Sequence, residues 1–243
     1  MIVENCKNSS YIDTLFVSMF YKPSLILNIL SDKLNDLKFT YLQELLCEYF
    51  IFQTRAGNVI TSEIINELRN YFVFCGWKQN DNFMNLFNVK ELYDFVLSKH
   101  KKQLLINDLS NNNITELNYL NFDIKNDCCI KQLLFDWETQ HELKNVPDFI
   151  ALNLNRSNET TFTVNIMDGF YFKNDRKKYW SIHSIICKSD NHYYSVVLGD
   201  KNWHIFNNSK LPSLSSVDIY SEEIGSKIKK ECVFLFYTLK KIT

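Results

Sequence analysis

The segment Asn5-Cys6-Lys7-Asn8-Ser9-Ser10-Tyr11 lies immediately ahead of the first apolar run of the chain, and it carries two serine hydroxyls and a thiol. A nucleophile at the start of a helix meets oriented backbone N–H groups, which lower the pKa of a thiol placed there. Far downstream, His192 stands at the head of the apolar run Tyr193 to Leu198. An imidazole delivered by a strand to such a helix start is the partner that makes a thiol or hydroxyl nucleophilic. The chemistry these residues offer is attack on a carbonyl carbon.

The elements that must bring them together follow from the apolar periodicity. From Tyr11 to about Lys99, apolar residues recur at three- and four-residue spacing, as in Leu15, Met19 and Phe20 and in Ile64, Ile65, Leu68, Tyr71 and Phe72, so this part reads as helices. Ser9 and Ser10 are N-cap candidates for the first helix, with Asp13 in its first turn favoured by the helix dipole. Pro23 ends or bends that helix, and Ser24 caps a second one through Leu37. After about Asn145 the pattern turns to short runs rich in Phe, Ile, Val, Tyr and Trp, which reads as antiparallel strands. The expected strands are Phe149 to Leu154, Phe162 to Ile166, Tyr179 to Cys187, Tyr193 to Leu198, Trp203 to Asn207 and Cys232 to Leu239, with Gly199-Asp200-Lys201-Asn202 as a hairpin turn. The Asn-rich stretch Asn111 to Asn126 is weakly periodic and reads as a variable loop or a poorly ordered segment.

A helical half with a nucleophile at its first helix start, followed by a sheet carrying a histidine, is the order of a papain-like hydrolase. The residues narrow this further. Asn5-Cys6-Lys7-Asn8-Ser9-Ser10-Tyr11 resembles the cysteine box of ubiquitin-specific proteases, Asn-x-Gly-Asn-Thr-Cys-Tyr, with Lys7 in place of the glycine and Ser10 in place of the nucleophilic cysteine. Asn191-His192-Tyr193-Tyr194 followed by Trp203-His204-Ile205-Phe206-Asn207-Asn208 resembles the histidine box, Gly-His-Tyr and then Trp-x-x-Phe-Asp-Asp. Val146 to Arg156 is similar to the Leu-Pro…Leu-x-Leu-x-Arg-Phe strand, Tyr179 to Cys187 to the strand leading into the histidine box, and Cys232 to Tyr237 to the last strand of the family. Asn88 to Leu97 resembles the family helix that begins Gln-Gln-Asp-Ala. These pieces fall in family order over nearly the whole chain.

The resemblance implies an α+β papain-like ubiquitin-specific protease fold in a single catalytic-type domain over residues 1–243. Residues 1–100 make a helical, thumb-like half, residues 101–145 a variable connection, and residues 146–243 an antiparallel, palm-like sheet. The fingers subdomain with its two CxxC pairs is reduced or absent. It also implies roles. Ser10 takes the nucleophile position, His192 is the general base, Asn207 orients its imidazole, and Asn5 donates to the oxyanion, a contact worth roughly 3 kcal/mol. Asn191, Tyr193 and Asn208 are placed with the substrate-binding residues. The expected activity is hydrolysis after the C-terminal glycine of ubiquitin or a ubiquitin-like modifier, with no cofactor or metal. The alternative is a catalytically inactive ubiquitin-binding pseudoprotease. A serine hydroxyl has a pKa far above that of a thiol, so this chain is expected to be nearly inactive whether the serine is a replacement that traps substrate or a native loss.

Plainer roles compete at each position. Ser9 and Ser10 taken alone read as helix caps, and His192 taken alone as a strand histidine. His100, His141, His183 and His204 carry no partner pattern and read as surface or core residues. Cys6 lies four residues before the aligned nucleophile, and Cys128-Cys129 is too closely spaced to chelate one metal and reads as core.

Composition bounds the rest. With 243 residues, 46% hydrophobic, 5 Gly and 3 Pro, the chain reads as a packed globular domain with long regular elements. A net charge of −1 with mixed signs gives no basic face for nucleic acid. The seven cysteines form no CxxC pair and read as reduced thiols in a cytosol-like compartment. The stretch Leu15 to Leu30, interrupted by Lys22, Pro23 and Asn28, reads as neither signal peptide nor membrane span. Sequons such as Asn158-Glu159-Thr160 are those of an Asn-rich chain. The surplus of Asn, Ile and Lys reads as an AT-rich genome, with a viral source and a place in the host cytoplasm as the expectation.

Overall fold

A computed structural model describes residues 2–4, 6–77, 88–156 and 162–240. In chain order, the first part is β1 (Ile2–Val3), α1 (Ser10–Phe20), a 3-10 segment (Leu25–Ser31), α2 (Leu37–Leu46), a π-helical segment (Cys47–Phe52), α3 (Gln53–Ala56), β2 (Val59–Ile60), α4 (Ser62–Phe74) and α5 (Val89–Val96). Then come β3 (Leu104–Asp108), β4 (Ile114–Leu117), β5 (Leu120–Ile124), β6 (Cys128–Cys129), α6 (Ile130–Gln140), β7 (His141–Leu143), β8 (Phe149–Arg156), β9 (Val164–Asn165), β10 (Gly169–Phe172) and β11 (Asp175–Ser189). The chain closes with β12 (His192–Leu198), β13 (Trp203–Phe206), β14 (Leu214–Val217), α7 (Glu222–Glu231) and β15 (Cys232–Lys240). This is an α+β fold with antiparallel strand pairs.

The chain divides into two compact units. The first joins residues 1–101 to residues 188–217, so the helical part and the hairpins β12–β13–β14 belong together. Its centre is α1, every residue of which is buried. That all-round burial explains why the run is so apolar, and no single helix among the described residues is long and apolar enough to cross a membrane. Phe16 packs against Phe20, Phe50 and Phe72, with ring centroids 6.0, 5.4 and 6.1 Å away. Thr61 caps α4 and Asn88 caps α5, each side chain accepting a backbone N–H of the first turn. In the hairpin β12–β13, Gly199 N–H donates to the Asn202 carbonyl at 2.8 Å, and Ser195 stands opposite Phe206.

The second unit joins residues 102–187 to residues 218–243. Its sheet places β15 between β11 and β8, both antiparallel to it, with β5 parallel to β8. Phe149 through Leu154 are all buried, so β8 is a central strand rather than an alternating one. Arg156 ends β8 by donating to the backbone carbonyls of Cys232 (2.8 Å), Lys229 (2.9 Å) and Phe162. A smaller sheet orders β4–β3–β7.

Four expectations are corrected. Asn111 to Asn126 is not a loop: it holds β4 and β5, and the asparagines make the turn between β3 and β4. Asp108 accepts from the Ser110 N–H at 2.8 Å and from the Asn111 amide at 3.1 Å, Asn111 accepts from the Asn113 N–H at 2.8 Å, and Asn112 takes the left-handed conformation that Asn tolerates. Ser24 caps only the short 3-10 segment, which stops at Ser31. A new helix begins at Leu37 because Asp36 accepts the Lys38 N–H at 3.0 Å. The strand expected from Phe162 to Ile166 shrinks to Val164–Asn165, and the second half of the chain also contains α7. Cys128 and Cys129 are only half-buried, because β6 lies outside the main sheet. The sequon at Asn158 lies outside the described residues.

Candidate active site

The chain enters α1 through a tight turn. Asn8 adopts a positive φ of 58°, Ser9 N–H donates to the Cys6 carbonyl at 3.0 Å, and the N–H groups of Ile12 and Asp13 donate to the Ser9 carbonyl at 2.8 and 3.0 Å. Ser9 occupies the N-cap position, but its hydroxyl caps nothing; it donates instead to Asp13 Oδ2 at 2.6 Å. Ser10 is the first residue of the helix and is 4% exposed. The capping expected of these two serines is therefore replaced by a tertiary role. A nucleophile at position 10 sits at the positive end of the helix dipole.

Two hydrogen bonds seat the start of β12 on this helix. Tyr193 N–H donates to Ser10 Oγ at 3.3 Å, and Thr14 Oγ1 donates to the Tyr193 carbonyl at 3.2 Å. Ser10 and Thr14 are one turn apart on the same helix face, so together they grip both peptide groups of Tyr193. His192, the preceding residue, is thereby carried to the helix start.

The His192 ring is held by Asn207. Its Nε2 lies 2.9 Å from Asn207 Oδ1, and that oxygen also accepts the Ser209 N–H at 2.9 Å and the Ser209 hydroxyl at 2.6 Å. A backbone N–H only donates, so the Asn207 atom is the amide oxygen. An oxygen only accepts, so Nε2 carries the proton and Nδ1 keeps its lone pair. The hairpin supplies this geometry: continuing the register past Ser195 and Phe206 brings Asn207 within reach of His192.

Asn208 is turned inward. It is 3% exposed, and its amide donates to Asp13 Oδ2 at 2.5 Å and to Ser9 Oγ at 3.1 Å. Burial raises the Asp13 pKa to about 7, against the opposing hydrogen bonds from Ser9 and Asn208. Asp13 Oδ1 and Asn208 Oδ1 have no hydrogen-bond partner among the described residues.

Of the residues singled out in the sequence, Ser10, His192, Tyr193, Asn207 and Asn208 are gathered at one end of α1. Tyr193 contributes its backbone. Its ring is buried, and burial pushes the phenol up to about 12 despite a hydrogen bond with the Val89 backbone. The Asn208 side chain is likewise buried. Asn191 is exposed in the turn before β12, where Asp190 has a positive φ of 50°. Asn5 lies outside the described residues. Cys6 is engaged elsewhere: its Sγ donates to Asn66 Oδ1 at 3.3 Å and accepts from Arg69 Nη1 at 3.2 Å. Among the described residues no group of three His, Cys, Asp or Glu side chains is placed to hold a metal ion.

The sequence reading missed Asp13 and Thr14 as tertiary anchors. A signal was present: Ser10, Asp13 and Thr14 stand together in the first turns of a run that is otherwise mostly apolar, and buried polar groups are kept where they find partners.

No family model matches the chain, and no curated protein does. Among solved structures, it is similar to the SAGA Ubp8/Sgf11/Sus1/Sgf73 DUB module, at 16% identity and a TM-score of 0.66 over 99% of this chain and 68% of the other. The same module bound to ubiquitin aldehyde matches at 16% identity and a TM-score of 0.64, over 99% and 70%. An essential yeast splicing factor matches at 11% identity and a TM-score of 0.69, over 99% and 69%. At such identities the likeness is one of fold. The chain has the ubiquitin-specific protease fold seen in the Ubp8 DUB module.

Proposed function

We propose that this chain binds ubiquitin or a ubiquitin-like modifier, and that Ser10, His192 and Asn207 stand in the places of an isopeptidase catalytic set with serine in the nucleophile position. The observation that carries this reading is the seating of β12 on α1. Ser10 and Thr14 grip the Tyr193 peptide groups while Asn207 fixes the adjacent His192 with Nδ1 as its basic nitrogen. The neighbouring module seen with ubiquitin aldehyde supports the choice of ligand.

In a thiol form of this site, the position-10 proton passes to His192 Nδ1, and sulfur adds to the carbonyl carbon of the modifier's C-terminal glycine. The C–N bond then breaks as His192 returns the proton to the departing lysine amine. Water, deprotonated by His192, releases the acyl group. Serine slows the first of these steps because an alkoxide is far harder to form than a thiolate. Asn207 orients the imidazole but, lacking charge, stabilises imidazolium less than a carboxylate does. As it stands, the chain is expected to bind the modifier with little or no turnover.

The test is a ubiquitin probe carrying a C-terminal electrophile. Ser10→Cys is expected to form a covalent adduct and the unaltered chain to bind without one. Absence of both adduct and binding for ubiquitin and for ubiquitin-like modifiers overturns the proposal. A second reading, a binding module without any catalytic past to restore, is favoured by the Ser10 hydroxyl being nearly enclosed and already accepting the Tyr193 N–H. Binding by Ser10→Cys with no adduct would select it.

A further inference from the structure

We propose that a groove between α6 and β10, within the second unit, docks an extended acidic peptide carrying a bulky apolar side chain. The groove has a volume of about 620 Å³. Its floor is Leu134, Phe170 and Phe172, all buried, while Phe135 and Tyr171 flank it at 52% and 53% exposure. Aromatic rings left half in water around an apolar depression mark a binding surface more often than an idle one.

The rim gives the partner's charge. Lys131, Lys173 and Arg176 line the groove, and none of them has an ion-pair partner among the described residues. Glu138 is the single carboxylate in the lining, and its Oε1 already accepts the Lys173 N–H at 2.5 Å. The Lys173 ammonium sits 3.9 Å above the Phe135 ring, which keeps cation and aromatic surface together at the mouth. Exposed Lys177 and Lys178 continue the positive run along β11. In a chain of net charge −1, this is a local excess that an acidic ligand complements.

The backbone gives the partner's shape. Among the described residues β10 pairs with β11 alone, so its second edge is open along the groove. A peptide laid on that edge as a strand satisfies its own backbone, drops alternate side chains into the apolar floor and offers the rest to the cations.

The probe is a fluorescein-labelled peptide of sequence Glu-Asp-Glu-Leu-Glu-Phe-Glu-Asp, titrated against the whole chain by fluorescence anisotropy. Binding is expected, with a loss of roughly tenfold when Leu and Phe are both replaced by Ala or when every acid is replaced by Lys. The double variant Lys131→Glu with Arg176→Glu is expected to weaken binding by at least roughly tenfold with an unchanged melting temperature, since both side chains are exposed. Phe135→Ser supplies a second, charge-neutral test with the same expected direction. The proposal is overturned if no binding occurs, if the Ala peptide binds as well as the parent, or if the charge reversals leave affinity unchanged. Preferential binding of oligo(dT) or of phosphatidylserine vesicles over the peptide also overturns it.

Discussion

The Asn208 amide and the Asp13 carboxyl lie 2.5 Å apart, joining the segment after β13 to the first turn of α1 with both side chains out of contact with water. Asn208 directly follows Asn207, which holds His192, and Asp13 lies three residues after Ser10. This one contact therefore ties the two sides of the candidate site together. Burial lifts the Asp13 pKa to about 7 from an unfolded value near 4. Between those values the folded chain holds a proton that the unfolded chain has lost, so stability falls as pH rises from about 4 to about 7 and then levels off. Asp13→Asn keeps an acceptor for Ser9 and Asn208 and removes the titration. The expected result is a flatter stability–pH profile, with a gain over the parent at pH 8 of at most about 4 kcal/mol. Urea unfolding at a series of pH values measures it, and parallel profiles for parent and variant would refute the assignment.

Asn207 acts on His192 through a single oxygen. In the Ser10→Cys background, Asn207→Ala is expected to slow adduct formation with an electrophilic ubiquitin probe by roughly 100-fold. Ubiquitin affinity should stay as it was, because the change frees a ring rather than removing a surface. Asn207→Asp in the same background is expected to react faster than the asparagine form. Equal rates for all three would mean that the ring needs no orienting partner.

Thr14 donates its hydroxyl to the Tyr193 carbonyl in a buried setting. Thr14→Val preserves shape and leaves that carbonyl without this donor, at a cost of about 1–3 kcal/mol in unfolding free energy. Thr14→Ser keeps the donor and should recover most of the loss, which chemical denaturation can resolve.

Arg156 gathers three backbone carbonyls, those of Cys232, Lys229 and Phe162, with one planar group. A lysine presents one nitrogen and reaches fewer of them, so Arg156→Lys is expected to cost about 1–2 kcal/mol despite its unchanged charge. A melting temperature equal to the parent's would show the fork to be dispensable.

Periodicity and residue type were enough to expect strands at Phe149 to Leu154, Tyr193 to Leu198 and Cys232 to Leu239 and helix around Ile64 to Phe72, because buried elements impose their own spacing on the chain, whereas α5 was marked by the likeness of Asn88 to Leu97 to a family helix. The middle of the chain defeated the same reading. Asparagines that looked like disorder close a hairpin through side-chain-to-backbone bonds, and a short, fully exposed strand such as β4 has no buried face to impose an apolar alternation.

What the sequence determined by itself is the set of groups: a hydroxyl at a helix start, a histidine opening a strand and an amide fifteen residues beyond it, each fixed by local order along the chain. Their meeting was decided only in three dimensions, where Ser10 and Thr14 hold the Tyr193 peptide and Asp13 holds Asn208. These contacts join residues about 180 to 195 positions apart. No local pattern encodes them, since they depend on which face of α1 packs against which edge of a hairpin.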